Sequence, residues 1–158
     1  MPEVTPTPPS ALAPADSPAV TAHINLLQGI INRLAGNSSS CKTWCITLVA
    51  ALLSLSGATH QPAIVTVALV PVVVFGFMDT MYLAQERAYR KLYGQILDLI
   101  HSRRYTLENT FYARAPLEFS ASVAVLKSWA IFPVYGGLIA TYLVAWWQGW
   151  FVLLAKTG

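Results

Sequence analysis

The sequence predicts an all-α integral membrane protein, and two observations indicate this class. Of its 158 residues, 55% are hydrophobic and only 11% are charged, whereas soluble domains carry about 25% charged residues. The charged residues are also clustered, which leaves long charge-free stretches of the length that a bilayer-spanning helix needs. The predicted architecture is a short N-terminal amphipathic helix, a two-helix transmembrane hairpin with a long cytoplasmic helical stem, and a third transmembrane helix.

The first 19 residues differ in composition from the rest of the chain. They contain six prolines and show no hydrophobic periodicity, which is typical of a disordered tail. We therefore assign residues 1–19 to a Pro-rich tail and residues 20–158 to a single α-helical membrane domain.

The amphipathic helix is predicted over Val20–Ala35, where apolar residues recur every three or four positions. Gly36 and Asn37 are plausible residues for its C-terminal end. Ser38–Ser40 would then cap a second helix, because a serine side chain can accept a hydrogen bond from the first free N–H groups.

Three apolar segments are predicted to span the bilayer, near residues 43–58, 63–83 and 128–150. The first two are joined by the segment ATHQP (58–62), which carries no Lys, Arg, Asp or Glu, so they form a tight hairpin. Pro71 lies near the middle of the second span, where the missing N–H should kink the helix.

The stem is predicted as a continuation of the second span. Apolar residues keep helical spacing from Met78 to Ile100, and Glu86 faces Arg90 four positions later. One helix should therefore leave the bilayer near Asp79–Gln85, and residues 84–127 form the cytoplasmic segment. The Lys and Arg residues flanking the spans favour a cytoplasmic N-terminus and an external C-terminus.

Asp79 is the main candidate site, because an ionisable residue at membrane depth suggests a function. Two interpretations are open. Asp79 could lie at the headgroup level and simply end the span. Alternatively, it could line the mouth of a pore or pair with a cation on a neighbouring subunit, and Arg33 and Lys42 are the candidate partners.

Two further sets of residues are candidates for contacts. The first set fits the small-xxx-small pattern of helix packing in membranes and comprises Gly136, Gly137, Ala140 and Thr141. The second set is basic and could contact anionic lipid or a protein partner, or serve only to orient the chain; it comprises Arg87, Arg90, Lys91, Arg103 and Arg104.

No enzyme motif is recognisable, so we predict a non-enzymatic protein with no catalytic residues, no metal and no cofactor. Cys41 and Cys45 lack the further ligands of a metal site and read as small packing residues. A net charge of +3 is too small to suggest nucleic-acid binding.

Two stretches carry a resemblance to a known family, HINLLQGIINRLAGNSSSCKTW (23–44) and DTMYLAQERAYRKLY (79–93). They resemble small bacterial multi-span membrane proteins similar to the SLATT-type effectors of antiphage and conflict systems. The resemblance lies in the layout of residues 23–100. It implies the bacterial inner membrane, self-association, and permeabilisation of that membrane when a partner sensor is triggered.

Two functions remain open from the sequence. The first is an oligomeric effector that forms a pore or disrupts the membrane, with the lipid bilayer and further copies of the chain as its partners. The second is a membrane anchor or adaptor that holds a cytoplasmic protein through residues 84–127.

Overall fold

A computed structural model describes residues 17–61, 63–106, 113–115, 125 and 128–147. All regular elements in these residues are helices, so the predicted all-α class is confirmed for this part of the chain. The helices are α1 (Pro18–Thr59), α2 (Ala63–Val67), α3 (Leu69–His101) and α4 (Phe132–Trp147). The predicted tail at residues 1–19 lies almost wholly outside the described residues.

α1 is one uninterrupted helix of 42 residues, about 63 Å long at 1.5 Å per residue. The predicted end of a first helix at Gly36–Asn37 is therefore wrong. A glycine inside a helix costs only about 1 kcal/mol, and the buried face continues past it at heptad spacing. That face comprises Leu27, Ile31, Leu34, Ser38, Cys41 and Cys45. Its continuous packing outweighs the weak local stop signal.

The N-terminus of α1 begins two residues earlier than predicted, and its first turn explains why. The Ser17 side chain accepts a hydrogen bond from the Val20 backbone N–H, with 3.3 Å between the two atoms. Pro18 occupies the first helical position, where its missing N–H costs nothing. Ser17 and Pro18 together therefore form a favourable helix start.

The predicted disturbance around Pro71 takes the form of a break between α2 and α3. Ala68 forms a turn between the two helices. Pro71 has no N–H to donate to the carbonyl of Val67, four residues before it. The Ala68 N–H lies 3.2 Å from two carbonyl oxygens, those of Ile64 and Val65. The chain therefore forms one tighter turn at Ala68, and α3 begins directly after it.

The predicted stem is confirmed as part of α3, which runs without interruption for 33 residues. Glu86 and Arg90 form the predicted pair, with Arg90 Nε donating to Glu86 Oε1 at 2.7 Å. α3 ends where Arg103 adopts a left-handed conformation with φ of 54°. The Arg104 N–H then donates back to the Leu99 carbonyl at 2.9 Å, which satisfies a terminal acceptor of the helix.

The described residues form two compact units, and the boundary falls between Arg33 and Leu34 on α1 and between Gln85 and Glu86 on α3. We call the unit that holds the start of α1 and the end of α3 the stem unit. Its core contains Val20, Leu27, Ile96 and Tyr105. His23 is fully buried there, and its Nδ1 lies 2.7 Å from the Tyr105 hydroxyl.

The second unit, which we call the apolar unit, contains residues 34–85 and α4. Its core is formed by Cys45, Val49, Val72, Ala84, Val125, Ile131 and Tyr135. α4 approaches α3 closely at Gly76, where an added Cβ would lie 3.4 Å from the Tyr135 ring. A side chain at position 76 would therefore begin in ordinary van der Waals contact with the Tyr135 ring. Both cysteines are free and buried, as expected for packing residues.

The outer surface of the apolar unit is itself apolar. Of the large hydrophobic side chains that are exposed, all but Leu26 belong to this unit. α1 and the segment Ala63–His101 are each long and apolar enough to cross a membrane, judged by length and composition. Only 17% and 28% of their most apolar 18-residue windows are buried, whereas the core helix of a soluble protein would be mostly buried.

The predicted third span is only partly described. α4 has 16 residues, or about 24 Å of helix, which is less than the ~30 Å of a hydrocarbon core. Residues 148–158, which include the rest of that predicted span, lie outside the described residues.

Gly94 tests how much the continuity of α3 matters, because a Cβ added there meets nothing within 4 Å. Gly94→Ala should stabilise the protein by about 0.5–1 kcal/mol through its higher helix propensity. Gly94→Pro should destabilise it by ~3 kcal/mol or more, because the ring clashes with the preceding turn. Denaturant titration in detergent micelles measures both changes. Equal stabilities for the two variants would contradict a continuous helix at this position.

Candidate functional site: an ion pair in the apolar unit

Lys42 and Asp79 are the only Lys, Arg, Asp or Glu residues among those described in the apolar unit. Lys42 lies on α1 and Asp79 on α3. The two helices run in opposite directions within this unit. Ser38 and Lys42 lie one turn apart on the same face of α1. Both side chains therefore contact Asp79. The helical hairpin thus brings its two opposite charges together.

The pair has short, direct geometry. Lys42 Nζ lies 2.7 Å from Asp79 Oδ2. That oxygen accepts no hydrogen bond of regular geometry from the described residues, so it is satisfied by the ion pair. The Ser38 hydroxyl donates to the other carboxylate oxygen, Oδ1, at 2.5 Å. Lys42 Nζ also donates to Ser38 Oγ at 3.0 Å. Ser38, Lys42 and Asp79 therefore form a closed triangle of polar contacts.

The two charged side chains differ in their access to the surroundings. The Asp79 side chain is fully buried, whereas 22% of the Lys42 side chain is exposed. α4 places the buried Tyr135 side chain near enough to Asp79 for the two to interact electrostatically. The Tyr135 hydroxyl also lies 3.3 Å from the Phe75 carbonyl oxygen, to which it donates.

Because the ion pair is buried, it affects stability mainly when one of its two partners is removed. Moving charges out of water costs several kcal/mol per ion, and their mutual attraction roughly offsets that cost. Removing one partner leaves the other uncompensated, which costs about 3–5 kcal/mol. The pair therefore contributes little net stability when intact but becomes strongly destabilising when it is broken.

The structure separates the candidate partners of Asp79. Lys42 forms the ion pair, while Arg33 is exposed and belongs to the stem unit. Asp79 itself is buried among protein side chains. Whether Asp79 contributes to the mouth of a pore stays a prediction.

Ser38 and Tyr135 are the two residues of this site that sequence reasoning missed. Ser38 was assigned to a helix cap because the chain was divided at Gly36–Asn37. The heptad spacing of Leu34, Ser38 and Cys41 was the available signal, since it places Ser38 on the buried face. No sequence signal links Tyr135 to Asp79, because their proximity depends on the packing of α4.

Most of the predicted packing residues of α4 lie on its exposed surface. Gly137, Ala140 and Thr141 are exposed, and the atoms nearest to a Cβ built on Gly136 belong to Phe132 of the same helix. Their role in contacts with other chains stays a prediction. The predicted basic residues are all exposed on the stem unit. They are Arg87, Arg90, Lys91, Arg103 and Arg104.

Within the described ranges, no group of three His, Cys, Asp or Glu residues is placed to hold a metal ion. No protein family, curated protein or solved structure matches this chain. The chemistry of the site must therefore be argued from its own residues.

The difference in exposure between the two charges predicts unequal effects of removing them. Lys42→Met should destabilise the protein by about 3–5 kcal/mol, because it strands a fully buried carboxylate. Asp79→Asn should cost less, because the Lys42 ammonium can turn towards water. The double variant, Lys42→Met with Asp79→Leu, should recover most of the loss.

Denaturant titration in micelles measures the coupling energy between the two residues, once Asp79→Leu is also measured as a single variant to close the cycle. Lys91→Met is the matched control, since Lys91 is exposed on the stem unit, and it should leave stability nearly unchanged. Additive losses in the double variant would contradict the pairing.

Proposed function

We propose that this chain is a bacterial inner-membrane effector that assembles with further copies of itself and permeabilises the bilayer. In this proposal the apolar unit lies in the membrane and the stem unit projects into the cytoplasm with the N-terminus. The resemblance of residues 23–100 to SLATT-type effectors points the same way.

The observation that carries the proposal is the Lys42–Asp79 pair, whose members are the only Lys, Arg, Asp or Glu residues described in the apolar unit. Ionisable residues within membrane segments are rare and commonly mark the path of an ion. A protein that only needed an anchor could dispense with them, since an apolar pair of similar volume is often at least as stable. The presence of both charges in the apolar unit therefore supports a role in ion movement, in addition to their effect on the register of the hairpin.

The exposed surface of the apolar unit supports the membrane location. On α3 the exposed side chains include Val70, Val73 and Phe77, with 59%, 68% and 66% of their surfaces accessible. When a water-soluble protein exposes a large contiguous apolar patch, that patch usually contacts a membrane or another protein. The charged residues are concentrated on the stem unit, which suits a cytoplasmic position.

A second function, that of an adaptor for a cytoplasmic protein, is favoured by one feature of the stem unit. An open groove of about 410 Å³ is lined there by Gln28, Ile31, Asn32, Arg90 and Tyr93. Gln28 Nε2 donates to the Tyr93 hydroxyl at 3.0 Å, and Glu86 orients the Arg90 guanidinium. A groove lined mainly by hydrogen-bonding side chains, with Ile31 as its one aliphatic residue, is suited to a short segment of a partner.

Membrane insertion is tested by placing charge on each unit in turn. Val70→Arg combined with Val73→Arg should oppose insertion by about 5–7 kcal/mol, at 2.5–3.5 kcal/mol per arginine. Leu26→Arg, on the exposed face of the stem unit, is the matched control and should leave insertion intact. Carbonate extraction of bacterial membranes measures the result. Equal recovery of both variants in the membrane pellet would argue against the proposed location.

Permeabilisation is tested by inducible expression in bacteria with a dye that reports membrane potential. Induction should depolarise the cells, and the Val70→Arg/Val73→Arg variant should not. A chain that inserts fully but leaves the potential unchanged at high expression would contradict the effector. That outcome would favour the adaptor, whose partner could then be crosslinked through the groove.

A further inference from the structure

The Lys42 ammonium is surrounded by oxygen atoms in a way that resembles a bound cation. Its nitrogen lies 2.7 Å from Asp79 Oδ2, 3.0 Å from Ser38 Oγ and 3.5 Å from the Ser38 carbonyl oxygen. The Ser38 hydroxyl also fixes the carboxylate by donating to its second oxygen. The oxygens therefore keep their positions through a contact that does not involve Lys42.

We propose that Asp79 and Ser38 form a binding site for a monovalent cation such as Na⁺ or K⁺, in which the Lys42 ammonium is the resident, tethered ion. A free cation takes the place of the ammonium when the lysine side chain turns away. No covalent step is involved, and the charge of the site is conserved because one positive ion replaces another.

The charge and ligand types favour a monovalent ion. The site offers one carboxylate, a hydroxyl and a backbone carbonyl, all of which are oxygen ligands suited to hard cations. Ca²⁺ normally takes six to eight oxygens with several carboxylates, and Asp79 is the only acidic residue described in the apolar unit. One monovalent cation would balance the negative charge of Asp79, as the Lys42 ammonium does.

The position of Lys42 allows it to leave. Its side chain is partly exposed, while Asp79 is fully buried. Trp44, two residues later and 60% exposed, is the first large exposed apolar side chain on the α1 segment of the apolar unit. Lys42 therefore lies about 3 Å along the helix axis from the start of the apolar surface. A lysine at such an edge can extend its ammonium towards the headgroups.

The consequence for permeation rests on the proposed function. In an assembled pore, Asp79 would select cations, and Lys42 would compete with them for the same oxygens. The intact pair then corresponds to the site occupied by the Lys42 ammonium. Removing Lys42 should increase cation selectivity, whereas removing Asp79 should abolish it.

Binding is tested without any need for conduction. Purified Lys42→Met in detergent is melted in NaCl, KCl and choline chloride at equal ionic strength, because choline is too large for the site. We expect Na⁺ or K⁺ to raise the Tm of Lys42→Met by roughly 3 °C or more over choline. The wild type, whose site is filled, should show little difference among the salts. Lys91→Met should behave like the wild type, and Lys42→Met/Asp79→Asn should lose the effect.

The same melting temperature for a folded Lys42→Met in all three salts would overturn the site. Lys42→Gln provides a second variant with a more polar side chain. Failure of both variants to fold in Na⁺ and in K⁺ would also overturn it, since a cation that fits the site should replace the ammonium.

Conductance in planar bilayers separates this inference from the proposed function. A several-fold rise in cation over anion permeability in Lys42→Met, absent in Lys42→Met/Asp79→Asn, supports both. Salt-dependent stability without any conductance would retain the site and reject the pore. Conductance with no salt dependence of stability would reject the site and retain the pore.

Discussion

Lys42 and Asp79 are the only Lys, Arg, Asp or Glu residues that the structure describes in the apolar unit, and their ion pair constrains the register of the hairpin. An apolar interface between two helices gains similar energy in several axial positions, since most contacts involve interchangeable aliphatic side chains. A slip of one turn would move Lys42 about 5.4 Å from its place opposite Asp79. The ion pair therefore specifies one register, which is the best-attested role of buried polar pairs in helical assemblies.

The helices supply the geometry that the pair needs. Ser38 and Lys42 lie one turn apart on α1, so both face the same point on α3. Their two contacts have different chemical origins, since an ammonium and a hydroxyl meet the Asp79 carboxylate. The same enclosure that keeps solvent from Asp79 also makes its electrostatic interactions stronger than they would be in water.

Sequence reasoning predicted the long elements well and their junctions less well. The apolar periodicity from Met78 to Ile100 was enough to predict a continuous α3, because many positions contribute to that pattern. The predicted helix end at Gly36 is wrong because a glycine inside a helix costs only about 1 kcal/mol. The buried residues on both sides of Gly36 contribute packing that outweighs this cost. Lys42 could be named as a partner from its charge alone. Ser38 and Tyr135 could not be named, because their roles arise from tertiary packing.

The break at Ala68 gives the hairpin two unequal ends. Near Asp79 the helices are joined by an ion pair and buried polar contacts, whereas near His60 they are joined by a short turn and the five-residue helix α2. Pro71 also leaves the carbonyl of Val67 without its helical donor. Local opening requires the least free energy where the fewest contacts are lost. Amide exchange should therefore be fastest around α2 and slow progressively towards Asp79, so that the hairpin opens from its turn while its charged end stays closed.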